Sequence, residues 1–258
     1  MDTAPKLSIV IPAYNESVRL PHAFRAITTR FEGSQVELII ADDGSVDGTG
    51  DVARSLNSGS IPVTVVSLDR NRGKGAAVRS GVRAATGDRI LIMDADLATD
   101  LEAIDRLSAA IATSDIAIGS RSVAGSTVKD PSHLRRTMGR TFNRLARTLL
   151  HLRVSDSQCG FKMFRADAAQ ILFTMSNVDG FAYDAEVIRL AMILDMTVTE
   201  VPVHWTAIAD SKVRPLRDSI ITFRDLLAIR RQIDPAGIRT WAAALGWTRD
   251  RYGNSPGI

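Results

Sequence analysis

The chain has 258 residues, 45% hydrophobic and 24% charged, an ordinary balance for a folded globular protein that excludes a disordered chain, a collagen and a coiled coil. Its 32 Lys and Arg stand against 29 Asp and Glu, a net +3, so no nucleic-acid partner is expected. A single cysteine, Cys159, excludes an internal disulfide framework and points to a reducing compartment. No apolar run approaches the roughly 18 residues of a spanning helix, and the polar start Met1-Asp2-Thr3 lacks a signal-peptide core. The expectation is a cytoplasmic protein, soluble or peripheral at the membrane face.

In chain order, short β-branched runs at Leu7–Ile11, Glu37–Ile40, Val63–Ser67, Arg89–Met93 and Asp115–Gly119 read as strands. Helical stretches near 18–31, 47–57, 74–86 and 100–112 separate them. Continuous apolar strands alternating with amphipathic helices predict an α/β fold, a mostly parallel sheet covered on both faces. Further on, helices are expected at Pro131–Leu150, Ala182–Leu194 and Leu216–Ile233, with strands at Gly160–Phe164 and Val198–Val203. Periodicity fades after Asp234-Pro235. One domain over 1–235 with a tail at 236–258 is the resulting division.

Ligands of such sheets bind at the carboxyl ends of the strands, so the residues that follow each strand matter most. The first strand runs into Pro12-Ala13-Tyr14-Asn15-Glu16, the second into Asp42-Asp43-Gly44-Ser45 and the fourth into Asp94-Ala95-Asp96. Acidic clusters meeting at one sheet edge repel each other unless a cation or hydrogen-bond donors intervene. Asp94 and Asp96 offer hard oxygen ligands suited to Mg²⁺ or Mn²⁺ bridged to phosphates. The plain reading is a loop whose Thr99 or Asp100 caps the next helix. Asp42-Asp43-Gly44-Ser45 reads equally as a turn or as a carboxylate accepting from a base or ribose, and Tyr14 as a stacking platform or a structural ring. Arg70-Asn71-Arg72-Gly73-Lys74-Gly75 opens a helix. Its helix N-terminus with Arg72 and Lys74 favours an anion, or else it is a solvated basic loop. The spacing is not that of a Walker A loop.

Taken together and in this order, these motifs resemble family 2 glycosyltransferases of the GT-A fold. The resemblance continues through Gly119-Ser120-Arg121, Asp156-Ser157-Gln158-Cys159-Gly160-Phe161-Lys162 and Ser211-Lys212, and covers about residues 6–233. It looks most like the polyprenyl-phosphate sugar transferases, nearer the dolichyl-phosphate β-glucosyltransferases than the dolichol-phosphate mannose synthases. The resemblance implies that Pro12, Tyr14, Glu16 and Asp43 line a nucleoside pocket, with Arg72 and Lys74 closing over the nucleotide. It makes Asp94 and Asp96 the metal pair. It places Arg121 and Arg135 at the lipid phosphate, Asp184 and Glu186 on the acceptor side, and Lys212 on a mobile loop near the diphosphate. One departure is Ala98, where the mannose synthases carry Gln, so water or His204 would supply the third metal ligand.

The implied reaction displaces a nucleoside diphosphate at an anomeric carbon. A divalent ion, Lys74 and Lys212 would stabilise the charge growing on the leaving group. A phosphate-monoester acceptor is already anionic and needs positioning by Arg121 and Arg135. A soluble hydroxyl acceptor is the alternative, and it requires a carboxylate base, for which Asp184 is the candidate. A single attack inverts the anomeric configuration. The expected partners are therefore a nucleotide sugar, UDP-glucose in the first instance, and a polyprenyl phosphate.

The segment 129–153 bears on the membrane. With Leu134 at zero, Met138, Phe142, Leu145 and Leu149 fall between about 20° and 80°, and Arg136, Arg140, Arg144 and Arg147 between about 200° and 280°. Such a helix lies on an anionic membrane surface. The same periodicity also fits a helix packed on the sheet with solvated arginines. Trp241 and Trp247 are interfacial anchors on the first reading and packing residues on the second.

Overall fold

The computed structural model describes residues 6–56, 61–130, 132–208 and 215–247. Four parallel strands come first: β1 (Leu7–Ala13), β2 (Val36–Asp42), β3 (Val63–Ser67) and β4 (Arg89–Ile92). They alternate with helices α1 (Leu20–Arg30), α2 (Thr49–Ser55), α3 (Lys74–Ala84) and α4 (Ala103–Ala110). Then follow β5 (Ile116–Ser120), β6 (Thr127–Lys129), α5 (His133–Leu150), β7 (Lys162–Arg165), α6 (Ala166–Met175) and α7 (Tyr183–Ile193). The described chain closes with β8 (Val198–Pro202), β9 (His204–Thr206), α8 (Pro215–Gln232) and α9 (Pro235–Ala244).

Seven strands form one sheet in the order β3-β2-β1-β4-β7-β5-β8, and β6 pairs with β9 in a separate ribbon. Among the described strands of the sheet, only β7 runs antiparallel to its neighbours, β4 and β5. The sheet is buried on both faces because adjacent strand residues feed different cores. Ile9, Ile11, Leu38, Ile40 and Leu91 face α1, α2 and α4. Val10, Ile39, Ile90, Ile92 and Phe164 face α3, α6 and α7 on the other side.

Four elements were not foreseen: β6, β9, α6 and α9. Helix α9 overturns the reading that regular structure fades after Asp234-Pro235. Asp234 caps it by accepting from the Ala236 and Gly237 N–H groups, and Pro235 fills the first helical position, where no N–H is needed. Arg239 then donates to the Ile193 carbonyl at the end of α7, and Ala242 is buried.

Helix α5 packs the described part of its apolar face on the protein. Ala146 and Leu150 are buried, and Phe142, Leu145 and Leu149 pack against the same core, while Arg140, Arg144 and Arg147 face solvent. The side chains of Leu134 and Met138 lie outside the described set. Among the described residues no helix is long and apolar enough to cross a membrane.

Candidate active site

The carboxyl ends of β1 and β2 lie side by side, Ala13 level with Asp42, and their loops are laced together. Asn15 N donates to Ser45 Oγ at 2.8 Å, Val46 N to Asn15 Oδ1 at 2.9 Å and Glu16 N to Thr49 Oγ1 at 2.7 Å. Gly44, at φ +65°, presses against the backbone of Arg70 and Asn71 so closely that a Cβ would collide. Beside it Asp43, 3% exposed, accepts from Arg72 N at 2.7 Å and Gly73 N at 2.8 Å. Burial raises the Asp43 pKa against the pull of those two hydrogen bonds. Asp43 thus braces the loop that carries Arg72 and Lys74. Tyr14 is exposed at the rim, and Pro12 lies within the end of β1.

Beyond β4 the backbone turns sharply through Asp94-Ala95-Asp96. Leu97 adopts φ 54°, and Asp96 Oδ1 accepts from Ala98 N at 3.0 Å. From the first turn of α3, Lys74 Nζ reaches Asp94 Oδ1 at 2.6 Å. Gly160 lies against Asp94 Oδ2 and Lys74 Nζ, where any side chain would strike the carboxylate. Behind them Lys162 of β7 pairs with Asp184 of α7 and also donates to the Cys159 carbonyl. Lys162 is 2% exposed and Asp184 4%.

The electrostatics follow from this crowding. Burial, and then the neighbouring Asp94, raise the Asp96 pKa. Burial alone would lower the Lys74 pKa, but Asp94 and Asp184 outweigh it and the ammonium is held charged. Asp184 is raised by burial, although Lys162 and Lys74 draw it down. Two repelling carboxylates with hard oxygens fit a divalent cation. Among the described residues no three His, Cys, Asp or Glu side chains come close enough to hold a metal. Asp94 and Asp96 are hard oxygen donors of the kind that suits Mg²⁺ or Mn²⁺. His204, expected beside water as a source of the third ligand, is engaged through Nδ1 with Thr127 Oγ1 at 2.7 Å.

Arg121 follows β5 and is gripped by Asp156. Its Nε and Nη2 donate to the two carboxylate oxygens at 2.7 and 2.9 Å, and its backbone N–H adds a third bond at 3.0 Å. Asn143 of α5 and the Gln158 N–H complete the fully buried Asp156. These donors hold the Asp156 pKa well below the usual carboxylate range despite its burial. The guanidinium also lies 5.7 Å from the Trp205 ring centroid. Its Nη1 donors are not among those bonded to Asp156, which suits a phosphate. Arg135 lies on the first turn of α5, its side chain outside the described set, and Lys212 falls outside the described residues.

Two sequence readings change here. The N-terminus of α3 is not open to an anion, because its Gly75 and Ala76 N–H groups donate to the Asp179 carbonyl at 2.7 and 3.2 Å. Asp179 also pairs with Arg72 at 3.0 Å and with Arg79. Glu186, placed by resemblance on the acceptor side, has its carboxylate taken up by Asn177 N and Val178 N and so braces the loop before α7. Lys162, Asp156 and Asp179 had no assigned role. The available signal was Lys162 itself, a charge between Phe161 and Met163 in a core strand, which demands a buried partner.

Comparison with known proteins places this geometry. The sequence pattern of "Glycosyl transferase family 2" matches residues 8–173. A dolichyl-phosphate beta-glucosyltransferase of Dictyostelium discoideum is 36% identical over 240 residues, 87% of this chain and 73% of the relative. The Homo sapiens protein of the same name is 34% identical, over 87% of this chain and 75% of its own. Among solved structures, glucosyl-3-phosphoglycerate synthase from Mycobacterium tuberculosis in complex with UDP superposes with a TM-score of 0.64 at 20% identity, covering 89% of this chain and 82% of that one. The same enzyme with Mn²⁺, UDP and glucosyl-3-phosphoglycerate gives 0.63 at 19% identity, covering 89% and 81%. At that identity the likeness speaks for the fold.

Proposed function

The chain belongs to glycosyl transferase family 2 and is a glycosyltransferase, and we propose that it transfers glucose from UDP-glucose to a polyprenyl phosphate with inversion. The names of its relatives support the sugar and the acceptor. Neighbours of the same fold with Mn²⁺ and UDP support the donor and the metal. The observation that carries the choice of acceptor is the state of two carboxylates. Asp184 is buried against Lys162, and Glu186 is occupied by the backbone of 177–178. A hydroxyl acceptor needs a base within reach of its proton. A phosphate monoester brings its own negative charge and needs a cation to place it, which Arg121 and Arg135 supply.

On this reading Asp43 holds the loop of Arg72 and Lys74 over the nucleotide, with Pro12, Tyr14 and Glu16 along the nucleoside. Lys74 and Lys212 meet the diphosphate. A divalent cation held by Asp94 and Asp96 supplies charge against the leaving group when bound. Lys162 pairs with Asp184 behind Lys74, so the cationic side chains stay in register with the reacting centre. Residues 1–235 form the transferase unit and 236–258 a C-terminal extension, with α9 laid on α7.

A peripheral membrane contact fits the surface. Arg140, Arg144 and Arg147 are exposed on α5. The packed neighbour α8 exposes Ile220, Ile221 and Phe223, at 64%, 42% and 39%.

The test is an incubation of purified protein with radiolabelled UDP-glucose or GDP-mannose and polyprenyl phosphate, with Mn²⁺ or with EDTA. Glucosylated lipid is expected from UDP-glucose with Mn²⁺, and none with EDTA. Glucosylation of a soluble alcohol with no lipid product would install the hydroxyl-acceptor reading, with Asp184 as base.

A further inference from the structure

The metal pair is already holding a cation of its own. Lys74 Nζ sits 2.6 Å from Asp94 Oδ1, with the lysine side chain 19% exposed. The other oxygen, Asp94 Oδ2, backs onto Gly160. A metal ion approaching Asp94 therefore meets an ammonium in its place. Two like charges sharing one carboxylate repel strongly in a partly desolvated site, so the lysine must leave for the metal to enter.

The backbone of Lys74 cannot do the leaving. Gly73 N is bonded to Asp43, and Gly75 N and Ala76 N to the Asp179 carbonyl. Only the side chain can swing. It moves among anions, with Asp94, Asp184 and Asp96 all contributing to its charged state. A further anion of higher charge, the diphosphate of a nucleotide, would draw it away from Asp94.

We infer that Lys74 is a stand-in cation that closes the Asp94–Asp96 pair to metal until a nucleoside diphosphate displaces it, so that metal and donor load together. This rests on the metal-dependent reading given above. It goes beyond that reading by making one side chain the link between the two ligands. The link is reciprocal: whatever the nucleotide does for the metal, the metal does for the nucleotide.

The test measures Mn²⁺ binding by electron paramagnetic resonance of the full-length protein, with and without UDP, in wild type, K74M and R83M. In wild type, UDP tightens Mn²⁺. In K74M, Mn²⁺ alone binds about tenfold more tightly than to wild type, the size expected for removing one partly buried competing ion pair, and the gain from UDP shrinks. R83M, which removes an equal charge from the exposed last turn of the same helix, leaves metal affinity without nucleotide at the wild-type level. K74M binding Mn²⁺ no tighter than wild type overturns the inference, and so does an equal gain in R83M, which would be a general field effect. Wild type that binds no Mn²⁺ even with UDP overturns the metal reading itself. Circular dichroism monitors folding, and K74Q replaces K74M if the latter unfolds.

Discussion

Lys162 sits at the middle of the sheet, level with Ile92 of β4 and Ile118 of β5, with its ammonium on Asp184. Removing one partner of a buried pair leaves an uncompensated charge, so K162M should lose about 3–5 kcal/mol of stability at neutral pH in urea unfolding. The deficit also carries a pH signature. Asp184 is already raised above the ordinary 3.8 by burial, and losing Lys162 raises it further. A carboxyl held above its unfolded pKa weakens the fold wherever it is ionised. The deficit is therefore full above the raised value and shrinks as pH falls through it toward 3.8. K162M/D184L should recover most of the loss, because no buried charge remains. A deficit that stays constant with pH would mean that Lys162 acts through packing alone.

At the scale of elements, the parallel strands and their helices were legible because each is a continuous apolar run or an amphipathic period bounded by turn residues. β3 ends where the sequence places it, and β1 and β2 each extend two residues further at their carboxyl ends. The ribbon β6–β9 was not legible, because three-residue strands carry no period and depend on partners distant in sequence. Helix α9 was legible in its cap rather than its period. Asp-Pro is a start signal, whereas the following Ala-Gly-Ile-Arg-Thr-Trp shows little amphipathicity. Replacing Asp234 by Ala removes both cap bonds. It should cost about 1 kcal/mol, read as faster amide exchange confined to α9, with D234N restoring most of the protection. Unchanged exchange in D234A would show that α9 is held by its packing on α7.

Over the whole molecule, a net charge of +3 hides an uneven distribution. The acidic residues of the site gather at the carboxyl edge of the sheet, while Arg140, Arg144 and Arg147 share the outer face of α5. If that face meets an anionic membrane, each arginine is worth about 1 kcal/mol near the surface, and the triple alanine variant should bind anionic vesicles about a hundredfold more weakly. Binding of the wild type should also fall with salt. The same variant should retain wild-type turnover on a short, water-soluble polyprenyl phosphate. Equal vesicle binding by variant and wild type would remove the arginine face from the account.

Of the site, the strand-end carboxylates and the basic loop of α3 were legible, since strand order and connectivity oblige residues after parallel strands to meet at one edge. Their partners were not. That Lys74 lies on Asp94, that Asp156 grips Arg121, and that Glu186 turns to a loop are outcomes of which side chains the packed core leaves within reach of one another. Local patterns along this chain specify its layers, its strand edge and its chemical inventory, because periodicity and turn chemistry act over a few residues. Which charge neutralises which was decided only when β7 slotted antiparallel between β4 and β5 and carried Gly160 and Lys162 in among them. Such pairings join residues tens of positions apart, and a buried ion's partner is chosen by distance in space.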